Sequence, residues 1–132
     1  MKWTYSCPHC SAMLNPQDAI ILVARNKDRA WLVGLHPEPG KYEIFVPPGV
    51  KVTWGDRWSF ACPVCGADLV TDFSNDLCAI DIHTDEEDHR IFFSRIAGEQ
   101  ATFVISAEGL RSMHGKDVDA YEQETAQMKY LL

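Results

Sequence analysis

Four cysteines in two pairs carry the clearest chemistry in this chain. Cys7-Pro8-His9-Cys10 and Cys62-Pro63-Val64-Cys65 each set two thiols two residues apart. Thiolates at that spacing can close on one ion at about 2.3 Å per sulfur, and two such pairs complete a tetrahedron. Pro8 and Pro63 hold φ near about −65°, so each turn is partly formed before an ion arrives. Gly66 follows the second pair, where the chain turns through positive φ at no steric cost to glycine. Ser11 stands at the equivalent place of the first pair, which predicts a strained or differently shaped turn there.

This pattern predicts one metal ion on Cys7, Cys10, Cys62 and Cys65. Four thiolates leave no open coordination position, so the predicted role is structural and the predicted ion is Zn²⁺, one per chain. Iron is the alternative, since thiolates hold both metals. Disulfides are a third reading. Met1 to Tyr5 lead straight into the first pair without an apolar leader, which predicts a reducing, cytoplasmic compartment where disulfides are rare.

The remaining reactive residues offer less. Cys78 alternates with Ile80 and Ile82 and is expected in the core as a small apolar side chain. His9 lies inside the first knuckle and is expected to face solvent rather than to ligate. His83 and His89 bracket the acidic run 84–88; a second, weak cation site there is weighed against a plain acidic turn, and the turn is preferred. Trp3, Trp31, Trp54 and Trp58 read as core more readily than as a stacking face. The chain has no G-x-S-x-G, H-E-x-x-H or phosphate-binding loop. An enzyme would need a cleft that gathers His36, His83 or His114 with carboxylates.

The elements that must position these residues are mostly strands. Residues 19–24 and 30–35, about the turn cluster 25–28, form a predicted β-hairpin, with the first strand buried on both faces. Residues 42–46, 50–54 and 57–60 read as further strands, the last delivering Cys62. Residues 77–82, 90–96 and 101–106 continue as a meander. The period then changes. Val118, Tyr121, Thr125, Met128 and Leu132 fall at steps of three and four, which predicts a helix over 117–131 capped by Asp117, with Lys129 near its negative end. Its apolar stripe either covers the sheet or makes a homodimer contact. The expected fold is mainly β (α+β): one domain over 1–132, an antiparallel barrel-like or sandwich-like body with a C-terminal helix.

The two knuckles resemble a zinc ribbon and, more loosely, the paired loops of rubredoxin. The layout also resembles the uncharacterised bacterial CpXC proteins, small chains with one CPxC at the N-terminus and a second farther on. That resemblance implies metal ligation by Cys7, Cys10, Cys62 and Cys65, and no reaction. Between Cys10 and Cys62 lie 51 residues, a long insertion for a minimal ribbon.

The 132 residues carry a formal charge of −7. Residues 1–61 are net +2 and residues 62–132 net −9. Phosphate contacts dominate nucleic-acid affinity, so so acidic a chain is a poor general nucleic-acid binder. Only Arg25, Lys27 and Arg29 could form a basic patch, and Asp28 weakens it. The longest apolar run, 19–24, is too short to span a membrane. The reading that follows is a non-enzymatic binding or adaptor module with a protein partner. The alternatives are an iron–thiolate electron carrier and a transcription-associated ribbon.

Overall fold

The computed structural model describes residues 3–128. Two antiparallel sheets face each other. The first runs in the order β1 (Thr4–Ser6), β6 (Leu77–His83), β7 (Asp88–Ser94), β8 (Thr102–Ser106) and β9 (Gly109–His114). The second runs in the order β4 (Ile44–Phe45), β3 (Arg29–Leu35), β2 (Ile20–Asn26) and β5 (Ser59–Ala61). The mainly β expectation holds, as two sheets and not as a closed barrel.

Period-two alternation explains where the cores lie. On β6, Cys78, Ile80 and Ile82 face the four-stranded sheet, while Leu77 and Ala79 face the other way. The first set meets Ile20, Leu22 and Ala24 of β2 together with Trp58 and Phe60. The second set meets Phe92, Phe103, Ile105, Tyr121 and Met128. The five-stranded sheet is therefore the middle layer, with a sheet on one face and the C-terminal helical segment on the other.

Several expectations need correction. The β2–β3 hairpin forms, but its register runs on to Asn26↔Arg29, so the turn is Lys27-Asp28, with Lys27 at φ 57°. β2 is buried on one face only, since nothing among the described residues covers the far side of its sheet, and Leu32 and Phe45 there are exposed. Residues 50–54 are loop, not strand. β9 escapes a sequence reading because 109–114 has no β-branched residue; pairing with β8 makes it a strand. The expected helix opens as a 3₁₀ turn, Val118–Tyr121, and continues as α1, Glu122–Met128. Asp117 does not cap it. Its carboxylate accepts from Gln100 N–H at 2.9 Å, and its own N–H donates to Gln100 O at 2.9 Å. Val118, Tyr121 and Met128 pack on the sheet. Lys129 and Leu132 lie outside the described residues.

Candidate metal centre

Each knuckle begins where a short strand ends. β1 delivers Cys7 from the five-stranded sheet, and β5 delivers Cys62 from the four-stranded sheet. Backbone hydrogen bonds then repeat at a constant offset. Ser11 N–H donates to Cys7 O and Gly66 N–H to Cys62 O, each at 2.9 Å. Cys7 N–H donates to Ala12 O and Cys62 N–H to Ala67 O, each at 3.0 Å. Leu14 N–H reaches Tyr5 O at 2.8 Å, and Leu69 N–H reaches Phe60 O at 2.9 Å. Ser6 bridges Met13 as Ala61 bridges Asp68. Residues 5–14 and 60–69 are thus two copies of one knuckle hairpin, and Cys, Pro, Cys, Ala and Leu recur between them. The sequence shows the CPxC centres of this repeat and the residue after each, Ser11 and Gly66, but not its full length.

Ser11 takes φ 65° and Gly66 φ 78°. The first turn is therefore not differently shaped, as the serine suggests. It has the same shape, held by a residue for which that conformation costs about 1 kcal/mol.

The four sulfurs meet. Cys7 Sγ lies 3.9 Å from Cys65 Sγ, and Cys10 Sγ lies 3.7 Å from Cys62 Sγ. All four lie within 4.8 Å of one another. Sulfurs about 2.3 Å from a central ion in a tetrahedron stand about 3.8 Å apart, so the set fits a tetrahedral thiophilic ion. It does not fit disulfides, whose sulfurs are bonded at about 2.05 Å. Backbone amides also point at the sulfurs: His9 N–H to Cys7 at 3.3 Å, Val64 N–H to Cys62 at 3.3 Å, Cys65 N–H to Cys62 at 3.5 Å. Such donors stabilise thiolate over thiol.

Burial is split evenly. Cys7 and Cys62 are buried, Cys10 and Cys65 exposed. Burial pushes the Cys7 thiol up to about 12 in the absence of an ion. Burial also pushes at Cys62, but its amide donors and the neighbouring thiols outweigh it and bring that group down to about 7. A bound cation would remove the difference by holding all four as thiolates.

The other candidates separate. Cys78 is wholly buried, and burial lifts its thiol to about 12, as a core residue requires. His9 is exposed and contributes its backbone rather than its ring. His83 and His89 do not converge: His89 on β7 stands across from Ile82 of β6, and successive residues Ile82 and His83 point to opposite faces. His83 Nδ1 pairs with Asp88 at 2.8 Å and His89 Nε2 with Glu87 at 3.1 Å. Among the described residues the four cysteines are the one group of potential metal ligands that converges. Of the tryptophans, Trp58 is buried and stands edge-on to Trp31 at 5.3 Å, but Trp3 is exposed and Trp54 is 73% exposed, both against the expectation of core residues. His36 Nδ1 accepts from Glu38 N–H, and His114 Nε2 lies 3.1 Å from Ser112 Oγ, so neither meets a carboxylate.

One arrangement has no sequence signal. Ser6 Oγ lies 2.8 Å from His83 Nε2, whose ring reaches Asp88 through Nδ1. This is the connectivity of a nucleophilic triad, assembled by the β1–β6–β7 register. Ser6, however, is 6% exposed, and the amide after it, Cys7 N–H, is committed to Ala12 O and unavailable to a developing oxyanion. The relay ties three strands beside the first knuckle.

No helix among the described residues is long and apolar enough to cross a membrane. Comparison with family models, with curated proteins and with solved structures returned no match, so the reading of this centre rests on its own geometry.

Proposed function

We propose that this chain is a zinc-stapled, non-enzymatic binding module, with one structural Zn²⁺ held by Cys7, Cys10, Cys62 and Cys65. The observation that carries the reading is four sulfurs within 4.8 Å of one another, drawn from two different sheets. An ion there closes a loop of more than fifty residues, which is where cross-linking removes chain entropy. Because all four positions are sulfur, such an ion has no place for substrate water. The resemblance to CpXC proteins agrees with this role and adds no reaction to it.

The partner we propose is a protein, in the cytoplasm; the net charge of −7 disfavours phosphate backbones. A second copy of the chain is the alternative partner, and light scattering on purified protein distinguishes the two.

A second reading is an iron–thiolate electron carrier, favoured by the exposure of Cys10 and Cys65, which would bring two ligands to the surface. Elemental analysis and an absorption spectrum test both. The zinc reading expects about one colourless zinc per chain and loss of native structure on chelation. A red ferric–thiolate spectrum would favour iron. A metal-free chain that keeps its fold would overturn the structural role altogether.

A further inference from the structure

The space between the two sheets is not filled. A cavity of about 250 Å³ runs in from the edge away from the cysteines. Its walls come from both sheets: Ile20, Leu35 and Phe60 on one side, Ile80, Ile91 and Phe93 on the other. Protein interiors are packed like organic crystals, with few voids larger than a water molecule. An apolar cavity of about 150 Å³ already stays dry and admits benzene, so this one has room for one ring with substituents or two fused rings.

The mouth is built rather than frayed. The loop 36–43 is tied down twice: Tyr5 Oη donates to Pro37 O, and Tyr42 Oη lies 2.9 Å from both Thr102 Oγ1 and His114 O. Opposite, Gly55 N–H donates to Ala97 O and Ala97 N–H to Asp56 O, locking the 54–57 turn to the β7–β8 connection. Trp54 then lies flat on Gly98; a Cβ there would come within 2.6 Å of the indole. This leaves an exposed aromatic ring standing at the entrance of an apolar cavity.

Most charges at the rim are hydrogen-bonded or ion-paired within the fold. Glu38 pairs with Lys41 at 3.8 Å, Arg95 donates to Asn75 O, and Glu99 accepts from Tyr121 Oη. Glu43 is exposed to solvent. Gln100 is different: it lines the mouth, its backbone is held by Asp117, and its neutral side-chain amide makes no hydrogen bond to the described residues. Interior walls without charge and one unused neutral amide at the mouth favour a neutral ligand over an ionic one.

We propose that this cavity binds a small neutral molecule, with an apolar body of one or two rings inside and one hydrogen-bonding end at Gln100. The inference goes beyond the metal reading. The zinc centre joins β1 to β5, and Tyr5 and Phe60 on those strands form part of the cavity wall.

The test is a titration of the full, metal-analysed chain with 1-naphthol, followed by amide ¹H–¹⁵N shifts. Because metal content and spectral dispersion are read in the same samples, failure of the cavity and failure of the metal centre are distinguishable. Saturable shifts centred on Leu35, Ile80 and Ile91 are expected. 1-Naphthoate, with the same rings and a carboxylate, is expected to bind about tenfold more weakly or worse. Val52→Trp, which places an indole in the mouth from a loop residue, is expected to abolish the shifts. Gln100→Leu, which breaks no hydrogen bond of the fold, is expected to weaken 1-naphthol severalfold with the melting temperature unchanged. Absence of saturable shifts in the native chain overturns the proposal. So does naphthoate binding as tightly as naphthol, or a folded Val52→Trp or Gln100→Leu chain that binds naphthol unchanged.

Discussion

The knuckle hairpins at 5–14 and 60–69 share a ladder of backbone hydrogen bonds and the same positive-φ closure, yet have opposite addresses. The first enters from the five-stranded sheet, and its Leu14 O accepts from Ile21 N–H beside the four-stranded one. The second enters from the four-stranded sheet, and its Leu69 O accepts from Ala79 N–H of the five-stranded one. Each hairpin therefore straddles both sheets in the reverse sense of the other. Two copies of one local motif become a reciprocal clasp only because they arrive from different sheets. The local turn is set by ten residues; the clasp is set by strand pairing far away in the chain.

Their equivalence is broken most severely at the buried sulfurs. Cys7→Ser and Cys62→Ser are each expected to abolish stoichiometric metal binding and to cost on the order of 5 kcal/mol or more. Elemental analysis and thermal melting check this, and a chain that keeps its metal after either change would show that the hairpins are not joint ligands. The next effect separates the copies at the residue that closes each turn, serine in one and glycine in the other. Gly66→Ser should cost about 1 kcal/mol, since an L side chain must take φ 78°. Nothing crowds a Cβ at Gly66, so the cost is conformational alone. Ser11→Gly should be stabilising by a similar amount, raising the melting temperature by about 3–5 °C. Equal and opposite shifts, cancelling in the double variant, are the expected signature; shifts of one sign would mean the turns differ after all.

A smaller effect tests whether the fifth cysteine stands apart. Cys78→Ala should leave one metal per chain and lower stability by about 1 kcal/mol through the small cavity it creates. The smallest concerns the relay that only the first hairpin has. Ser6→Ala removes the hydrogen bond to His83, at a cost of about 0.5–1 kcal/mol, because the half-exposed imidazole can turn to water. Denaturant titration resolves both, and a loss of metal with either would extend the centre beyond its four sulfurs.

How far the sequence could be read varies along the chain in a physically sensible way. β2, β3, β6, β7 and β8 were legible because runs such as 20–24 and 77–82 carry β-branched and apolar residues between turn clusters. β1 was hidden by its brevity, and β9 by its composition. Residues 50–54 look like a strand but pair with no neighbour and stay a loop. The Cys7, Cys10, Cys62 and Cys65 group was legible in full, because a two-residue spacing constrains two sulfurs whatever the surroundings. Ser6 was not, since a single serine, histidine and aspartate at 6, 83 and 88 have no spacing to recognise.

What the amino-acid order determined alone is therefore local: two prolyl knuckles able to grip an ion, one hairpin, and a chain that folds chiefly as strands. Each depends on dihedral preferences and side-chain periodicity within about ten residues. Tertiary structure decided the rest. It chose which sheet each knuckle would serve, turned Asp117 from a helix cap into a clamp on Gln100, left Trp54 outside on Gly98, and kept an apolar space open between the layers. Those outcomes arise from pairings between residues tens of positions apart, and no short-range preference encodes them.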